Sequence, residues 1–127
     1  MNKEILYTNQ APAPVGPYSQ AVKAGNTVYI SGQIALHPHT GAMMNDCIES
    51  EAHRVMQNLQ ELLIAAGMTF DNVVKTTIFL LDMADFATVN HIYGSYFTAA
   101  DYPARETVAV VGLPKSARVE ISLIAVS

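Results

Sequence analysis

The stretch that decides the fold opens as Asp46-Cys47-Ile48-Glu49-Ser50-Glu51-Ala52, passes Gly67 and ends as Val73-Val74-Lys75-Thr76-Thr77-Ile78-Phe79-Leu80-Leu81. In its first part Ala52, Val55, Met56, Leu59, Leu62, Leu63 and Ala66 recur at the i, i+3, i+4, i+7 spacing of one buried helical face. Asp46 and Glu49 have the spacing of a capping box, so a helix is expected to begin at Asp46. Gly67 supplies its stop, because a residue without Cβ enters the left-handed conformation that ends a helix. The second part is rich in β-branched residues and long enough for a central strand.

Working outward, Ile5-Leu6-Tyr7 reads as a short strand that ends in the stretch Ala11-Pro12-Ala13-Pro14-Val15-Gly16-Pro17. The prolines remove backbone donors and fix an extended path, so an ordered loop follows. Ala21-Val22-Lys23, the turn Gly25-Asn26 and Thr27-Val28-Tyr29-Ile30-Ser31 read as a hairpin, and His37-Pro38-His39-Thr40-Gly41 as a second loop. Downstream, a second helix is expected from Asp85, with Phe86, Val89, Tyr93, Tyr96 and Phe97 on one face. Two short apolar runs close the chain, one after Arg105 and one at Val119 to Leu123, joined by a turn at Pro114-Lys115. This order predicts a single α+β domain over residues 1–127, with two helices on one face of a mixed β-sheet.

Composition adds an expectation about assembly. Of 127 residues, 50% are hydrophobic and 14% charged, more apolar surface than one small core can absorb, so part of it is expected against other subunits. A formal charge of −4 with scattered cations counts against nucleic-acid or anionic-membrane partners. No run approaches the roughly 18 apolar residues of a membrane span. Met1-Asn2-Lys3-Glu4 carries an acid and begins no apolar leader, so a secretory signal is not expected. Cys47, the single cysteine, allows no intrachain disulfide, which fits a cytoplasmic setting.

The titratable side chains divide unevenly. His37 and His39 lie in one loop while His53 and His91 lie on separate helices, which makes no recognised metal pattern. Cys47 stands at a helix start without a triad-like partner, and no glycine-rich phosphate loop is present. Arg105 and Glu120 remain. A guanidinium fork holds a carboxylate bidentately, and a glutamate can hold or activate water. The same pair would also serve as an interfacial salt bridge. Alternation sets Val119, Ile121 and Leu123 against Glu120 and Ser122, so burying that second face requires a partner or a water for Glu120. Thr107 shares the face of Arg105, and Glu106 points the other way.

Taken together, Ala13-Pro14-Val15-Gly16-Pro17-Tyr18-Ser19-Gln20, Tyr29-Ile30-Ser31-Gly32-Gln33, Asp85-Phe86-Ala87-Thr88-Val89-Asn90, and Pro103-Ala104-Arg105 through Leu113-Pro114-Lys115 to Glu120 resemble the RidA/YjgF family. Its members are small trimeric proteins, many of them enamine/imine deaminases. The resemblance spans essentially the whole chain. It implies a chorismate-mutase-like fold, a homotrimer whose sheets line a central barrel, and ligand clefts between subunits. It further implies that Arg105 clamps a substrate carboxylate and that Glu120 positions the attacking water. Tyr18, Ser31 and Gly32 would shape the cleft, with Phe86, Asn90 and Thr107 near it. The implied ligands are 2-imino and 2-oxo acids, and neither metal nor organic cofactor is expected, because an imine is already electrophilic.

In one respect the chain departs from the resemblance. Many relatives carry a cysteine two residues after the arginine, where this chain has Arg105-Glu106-Thr107. Threonine can donate a hydrogen bond but cannot form a thiolate, so cysteine-dependent reactivity is not carried over, while hydrolysis needs no thiol. Two other functions stay open at this point: a non-enzymatic module binding small carboxylates, and ribonuclease or translation inhibition, against which the acidic balance counts.

Overall fold

The structure, a computed structural model, describes residues 2–98 and 100–127. Its strands are β1 Lys3–Leu6, β2 Ala21–Ala24, β3 Thr27–Gln33, β4 Val73–Leu80, β5 Ala104–Ala109 and β6 Val119–Val126. The helices are α1 Ile48–Ala65 and α2 Phe86–Gly94, with 3-10 turns at Phe70–Asn72, Met83–Asp85 and Pro114–Ser116. The strands form one sheet in the order β1-β2-β3-β6-β4-β5. All neighbours run antiparallel except β4 and β5, which are parallel because α2 forms the crossover between them. The α+β class, the mixed sheet and the two helices agree with the sequence.

The start of α1 differs from expectation. Its N-cap is Cys47 rather than Asp46: the Ser50 amide donates to Cys47 Sγ at 3.4 Å, and the Cys47 amide donates back to Ser50 Oγ at 3.4 Å. Cys47 holds the extended backbone of a cap and Asp46 lies one residue outside. The end is as expected. Gly67, at φ 72, donates to Ile64 O at 2.9 Å and Met68 donates to Leu63 O at 2.8 Å, the two bonds of a Schellman motif.

The predicted apolar face of α1 lies in the core with Val28, Ile30, Ile78, Leu80, Ile121 and Leu123 of the sheet. From α2 the core takes Val89, Ile92 and Tyr93, with Phe97 following the helix. Phe86, placed on that buried face by spacing, is instead 37% exposed: it is the first residue of α2, directly after the Met83–Asp85 turn, ahead of the turn of helix that carries Val89 into the core. Two polar side chains of α1 are wholly buried: Asn58, which donates to Ile34 O at 3.1 Å and Leu36 O at 3.0 Å, and Glu51. Glu51 Oε1 accepts from Arg118 Nε at 2.7 Å, and Oε2 from the Arg118 amide at 2.7 Å.

β6 alternates as expected, with Val119, Ile121, Leu123 and Ala125 buried and Glu120 and Ser122 on the other face. Along that outer face stand Tyr29, Phe79, Val108 and Ile124, and nothing among the described residues packs over them as the helices do on the inner face.

Candidate active site

β5 follows Tyr102-Pro103 and pairs with β4 so that Arg105 stands opposite Thr76, Glu106 opposite Thr77 and Thr107 opposite Ile78. Thr76 and Ile78 are core residues, so Arg105 and Thr107 share the helix side and Glu106 turns outward. There Glu106 pairs with Lys75 Nζ at 3.0 Å and accepts from Thr77 Oγ1 at 3.2 Å. The hydrogen bond from Lys75 holds its carboxyl below the ordinary range. Glu106 therefore does not oppose an anion arriving at Arg105.

On the helix side, Phe86, Asn90 and Tyr93 follow one another at i, i+4, i+7 along α2 and together meet the arginine. Arg105 Nη1 donates to Asn90 Oδ1 at 2.7 Å. Its guanidinium carbon lies 5.1 Å from the Tyr93 ring centre and 5.8 Å from that of Phe86. A cleft of about 460 Å³ opens beside it, lined by Asn90, Tyr93, Gly94, Tyr102, Pro103 and Arg105. Because Asn90 Oδ1 accepts from the arginine, the amide NH₂ faces away from it as a second donor. Thr107 Oγ1 is buried with no hydrogen-bond partner among the described residues.

Glu120 stands on the opposite face. It pairs with Phe79 in the β4–β6 ladder and lies against Gly32, in the irregular stretch where β3 and β6 shift register. A Cβ at Gly32 would sit 2.5 Å from Glu120 Oε2 and 2.9 Å from its carboxyl carbon, so any larger residue there must displace the Glu120 carboxyl. Burial raises the Glu120 carboxyl above the ordinary carboxylate range. Next to Gly32, Ser31 Oγ donates to Ser19 O at 2.6 Å and the Ser31 amide to Gln20 O at 3.0 Å. These bonds hold the Pro-rich loop, with Tyr18 52% exposed, beside β3.

The expected residues thus fall into two groups. Arg105, Thr107, Phe86 and Asn90 meet at one edge of the helix face, whereas Glu120, Gly32, Ser31 and Tyr18 gather on or near the outer face. Arg105 aligns through Thr76 with Leu123, three positions along β6 from Glu120 and two strands away. Strand spacing puts their Cα atoms roughly 14 Å apart, with the sheet between their side chains. One chain alone cannot close a cleft around both. Tyr93, which spacing places on the apolar face of α2, and Tyr102 line the cleft as well; the i, i+4, i+7 series from Phe86 is the signal that identifies Tyr93. Among the described residues, no three His, Cys, Asp or Glu side chains come together as a metal site. His53 Nδ1 lies 3.0 Å from Tyr96 OH, and Cys47 is an exposed cap.

A profile of the family described as Endoribonuclease L-PSP matches residues 8–127. Reactive Intermediate Deaminase A, chloroplastic, of Arabidopsis thaliana is 48% identical over 98% of this chain, which spans 66% of that relative. The 2-iminobutanoate/2-iminopropanoate deaminase of Mus musculus is 49% identical over 98% of this chain and 91% of its own length. Among solved structures, E. coli TdcF with bound serine matches with a TM-score of 0.93 at 38% identity, over 98% of each chain. Sequence, fold and motif order agree from the Pro-rich loop to the last strand, and the chain belongs to the Endoribonuclease L-PSP family, the RidA/YjgF family that its motifs resemble.

Proposed function

We propose that this protein hydrolyses 2-enamine and 2-imino acids, such as 2-aminoacrylate and 2-aminocrotonate, to 2-oxo acids and ammonia. The observation that carries this is Arg105: a fixed guanidinium at an open cleft, with Asn90 on one nitrogen and the remaining edge available to a carboxylate. The relatives named as deaminases of 2-iminobutanoate and 2-iminopropanoate support the same chemistry.

The site is completed by assembly. In a homotrimer of the chorismate-mutase-like kind, Arg105 of one subunit meets Glu120 of its neighbour, and the apolar outer faces carrying Tyr29, Phe79, Val108 and Ile124 pack together. The substrate carboxylate docks on Arg105, which places the imine carbon before a water held by Glu120. The water oxygen bonds to that carbon while Glu120 takes one of its protons and passes it to nitrogen, giving a tetrahedral aminoalcohol; the remaining hydroxyl proton then moves to nitrogen as the C=O bond forms and the C–N bond breaks, releasing ammonia and the 2-oxo acid. Burial raises this carboxyl, which makes its ionised form a stronger base toward the water. Orientation supplies the remainder. Metal, nucleic acid and membrane have no part in this scheme, and a cytoplasmic setting suits the unpaired Cys47. None of the helices, among the described residues, is long and apolar enough to cross a membrane.

The test is a coupled assay in which a serine or threonine dehydratase generates the imine and 2-oxo acid release is timed with and without this protein. Acceleration by the assembled protein supports hydrolysis. Carboxylate binding without acceleration replaces the enzyme with a binding module.

Two substitutions follow from the Glu120 face. Glu120→Gln is expected to slow turnover by about 10²–10⁴-fold with KM little changed. It is also expected to raise the melting temperature at pH 7. A carboxyl raised on folding contributes its full stability below its unfolded value, about pH 4, and loses it as pH rises through the folded value. Glutamine carries no such loss, so the gain over wild type should vanish below about pH 4 in thermal scans. Gly32→Ala, which drives a methyl into the carboxylate, is expected to cost at least about 10-fold in turnover through misplaced water. Unchanged kinetics in Glu120→Gln would remove Glu120 from the reaction, and unchanged kinetics in Gly32→Ala would show that the Glu120 carboxyl shifts without cost.

A further inference from the structure

Arginine is a flexible anchor, and a useful carboxylate clamp must spend little binding energy on stiffening it. In this chain the stiffening comes from an identifiable source. Tyr93 is buried in α2, its ring face 5.1 Å from the Arg105 guanidinium carbon, and its hydroxyl lies 2.7 Å from Thr76 Oγ1, also buried. Thr76 is the β4 residue directly opposite Arg105 in the ladder. Backbone pairing and a side-chain bridge therefore tie the same three residues into a closed loop: Arg105 to Thr76 through the sheet, Thr76 to Tyr93 through the hydroxyls, and Tyr93 back to Arg105 through the ring.

We propose that Tyr93 is a positioning residue for Arg105: its ring face, locked by Thr76, holds the guanidinium in the plane that receives the substrate carboxylate. The inference rests on the deaminase reading of the Arg105 cleft. Asn90 fixes one nitrogen, and Tyr93 fixes the plane in which the free edge lies. Phe86, at 5.8 Å and exposed, lacks any comparable lock. Burial also raises the Tyr93 phenol above its ordinary value, against smaller opposing effects of the Thr76 bond and the Arg105 charge. The ring thus stays neutral where an ionised phenol would compete with the substrate for the guanidinium.

The assay pairs steady-state kinetics on enzymatically generated 2-aminocrotonate with direct binding of 2-oxobutanoate by calorimetry, on the assembled protein. Tyr93→Leu is expected to raise KM and the 2-oxobutanoate Kd together by roughly 3- to 30-fold, the range of a cation–π contact, with a much smaller change in kcat. Tyr93→Phe keeps the ring but gives up the Thr76 hydroxyl bond, so both are expected to fall between wild type and Tyr93→Leu. Since Tyr93→Leu opens the core, a second series keeps the packing constant: phenylalanine and its mono-, di- and trifluorinated forms at position 93. Fluorine drains the ring face of negative charge while barely altering shape, so Kd should climb stepwise with fluorination at constant melting temperature. A flat series, or a Tyr93→Leu protein with lowered melting temperature but unaltered KM and Kd, would make Tyr93 a packing residue only. Arg105→Ala, run alongside, separates the two levels. If it binds 2-oxobutanoate as wild type does, the Arg105 cleft reading itself is wrong and Tyr93 falls with it; if it is defective while the Tyr93 series is flat, only Tyr93 is overturned.

Discussion

Arg105→Ala is expected to lower kcat/KM for imine hydrolysis by about 10²–10³-fold, the loss that follows from truncating one partner of a desolvated, hydrogen-bonded charge pair. The size of the effect reflects what the side chain contributes. Among the described residues nothing else lining the cleft carries a positive charge, so the carboxylate of a truncated protein's substrate would meet only neutral groups such as the Asn90 amide. Arg105→Lys should fall between the two, because it keeps the charge but loses the fork and the flat face that stacks on the rings. The decisive readout is 2-oxo acid release from dehydratase-generated substrate, together with confirmation that the variants assemble as wild type does. Full activity in the alanine variant would end the assignment of this cleft.

Arg118→Met is expected to produce the largest loss of stability, about 3–5 kcal/mol, seen as a drop of roughly 10–20 °C in melting temperature. Glu51 is 0% exposed, and its carboxylate is answered on one oxygen by Arg118 Nε and on the other by the Arg118 amide. Arg118 Nη2 continues to Asn45 O at 2.9 Å, so the cation also pins the segment that enters α1. Methionine fills most of the space of the arginine stem but leaves the buried carboxylate with a single backbone donor. Replacing both members, as Glu51→Leu with Arg118→Met, removes the uncompensated charge and should return much of the loss. A single variant within about 3 °C of wild type would show that water reaches Glu51 and that the pair matters little.

How much of this was legible depended on whether a signal is local. The α1 face could be read because seven apolar residues repeat at helical spacing, and its end because Gly67 sits where a left-handed residue is needed. The start was misread by one residue: Asp46 with Glu49 matches a capping box as well as Cys47 with Ser50 does, and the choice is made by which backbone turns extended. Arg105 and Glu120 stood out because the chain has few charges. Alternation marked the face of Glu120, but the opposite face of Arg105 is set by the register of β5 on β4, beside buried Thr76 and Ile78, which nothing in the β5 segment encodes. Glu51 and Arg118 carry no local signal of their pairing, since a partner 67 residues away leaves no mark on local pattern. Tyr93 hid for a different reason: it is both a core residue and a neighbour of the arginine, and periodicity reports only the first.

The separation of Arg105 from Glu120 by the sheet has a consequence for when activity begins. On the proposed reading, a newly made chain can fold, bury its core and set its guanidinium, yet remain inert until it meets its fellows. Synthesis and competence are then distinct events, linked by encounter. At low copy number the active fraction rises more steeply than the amount of polypeptide, so hydrolytic capacity is governed by concentration before it is governed by catalysis.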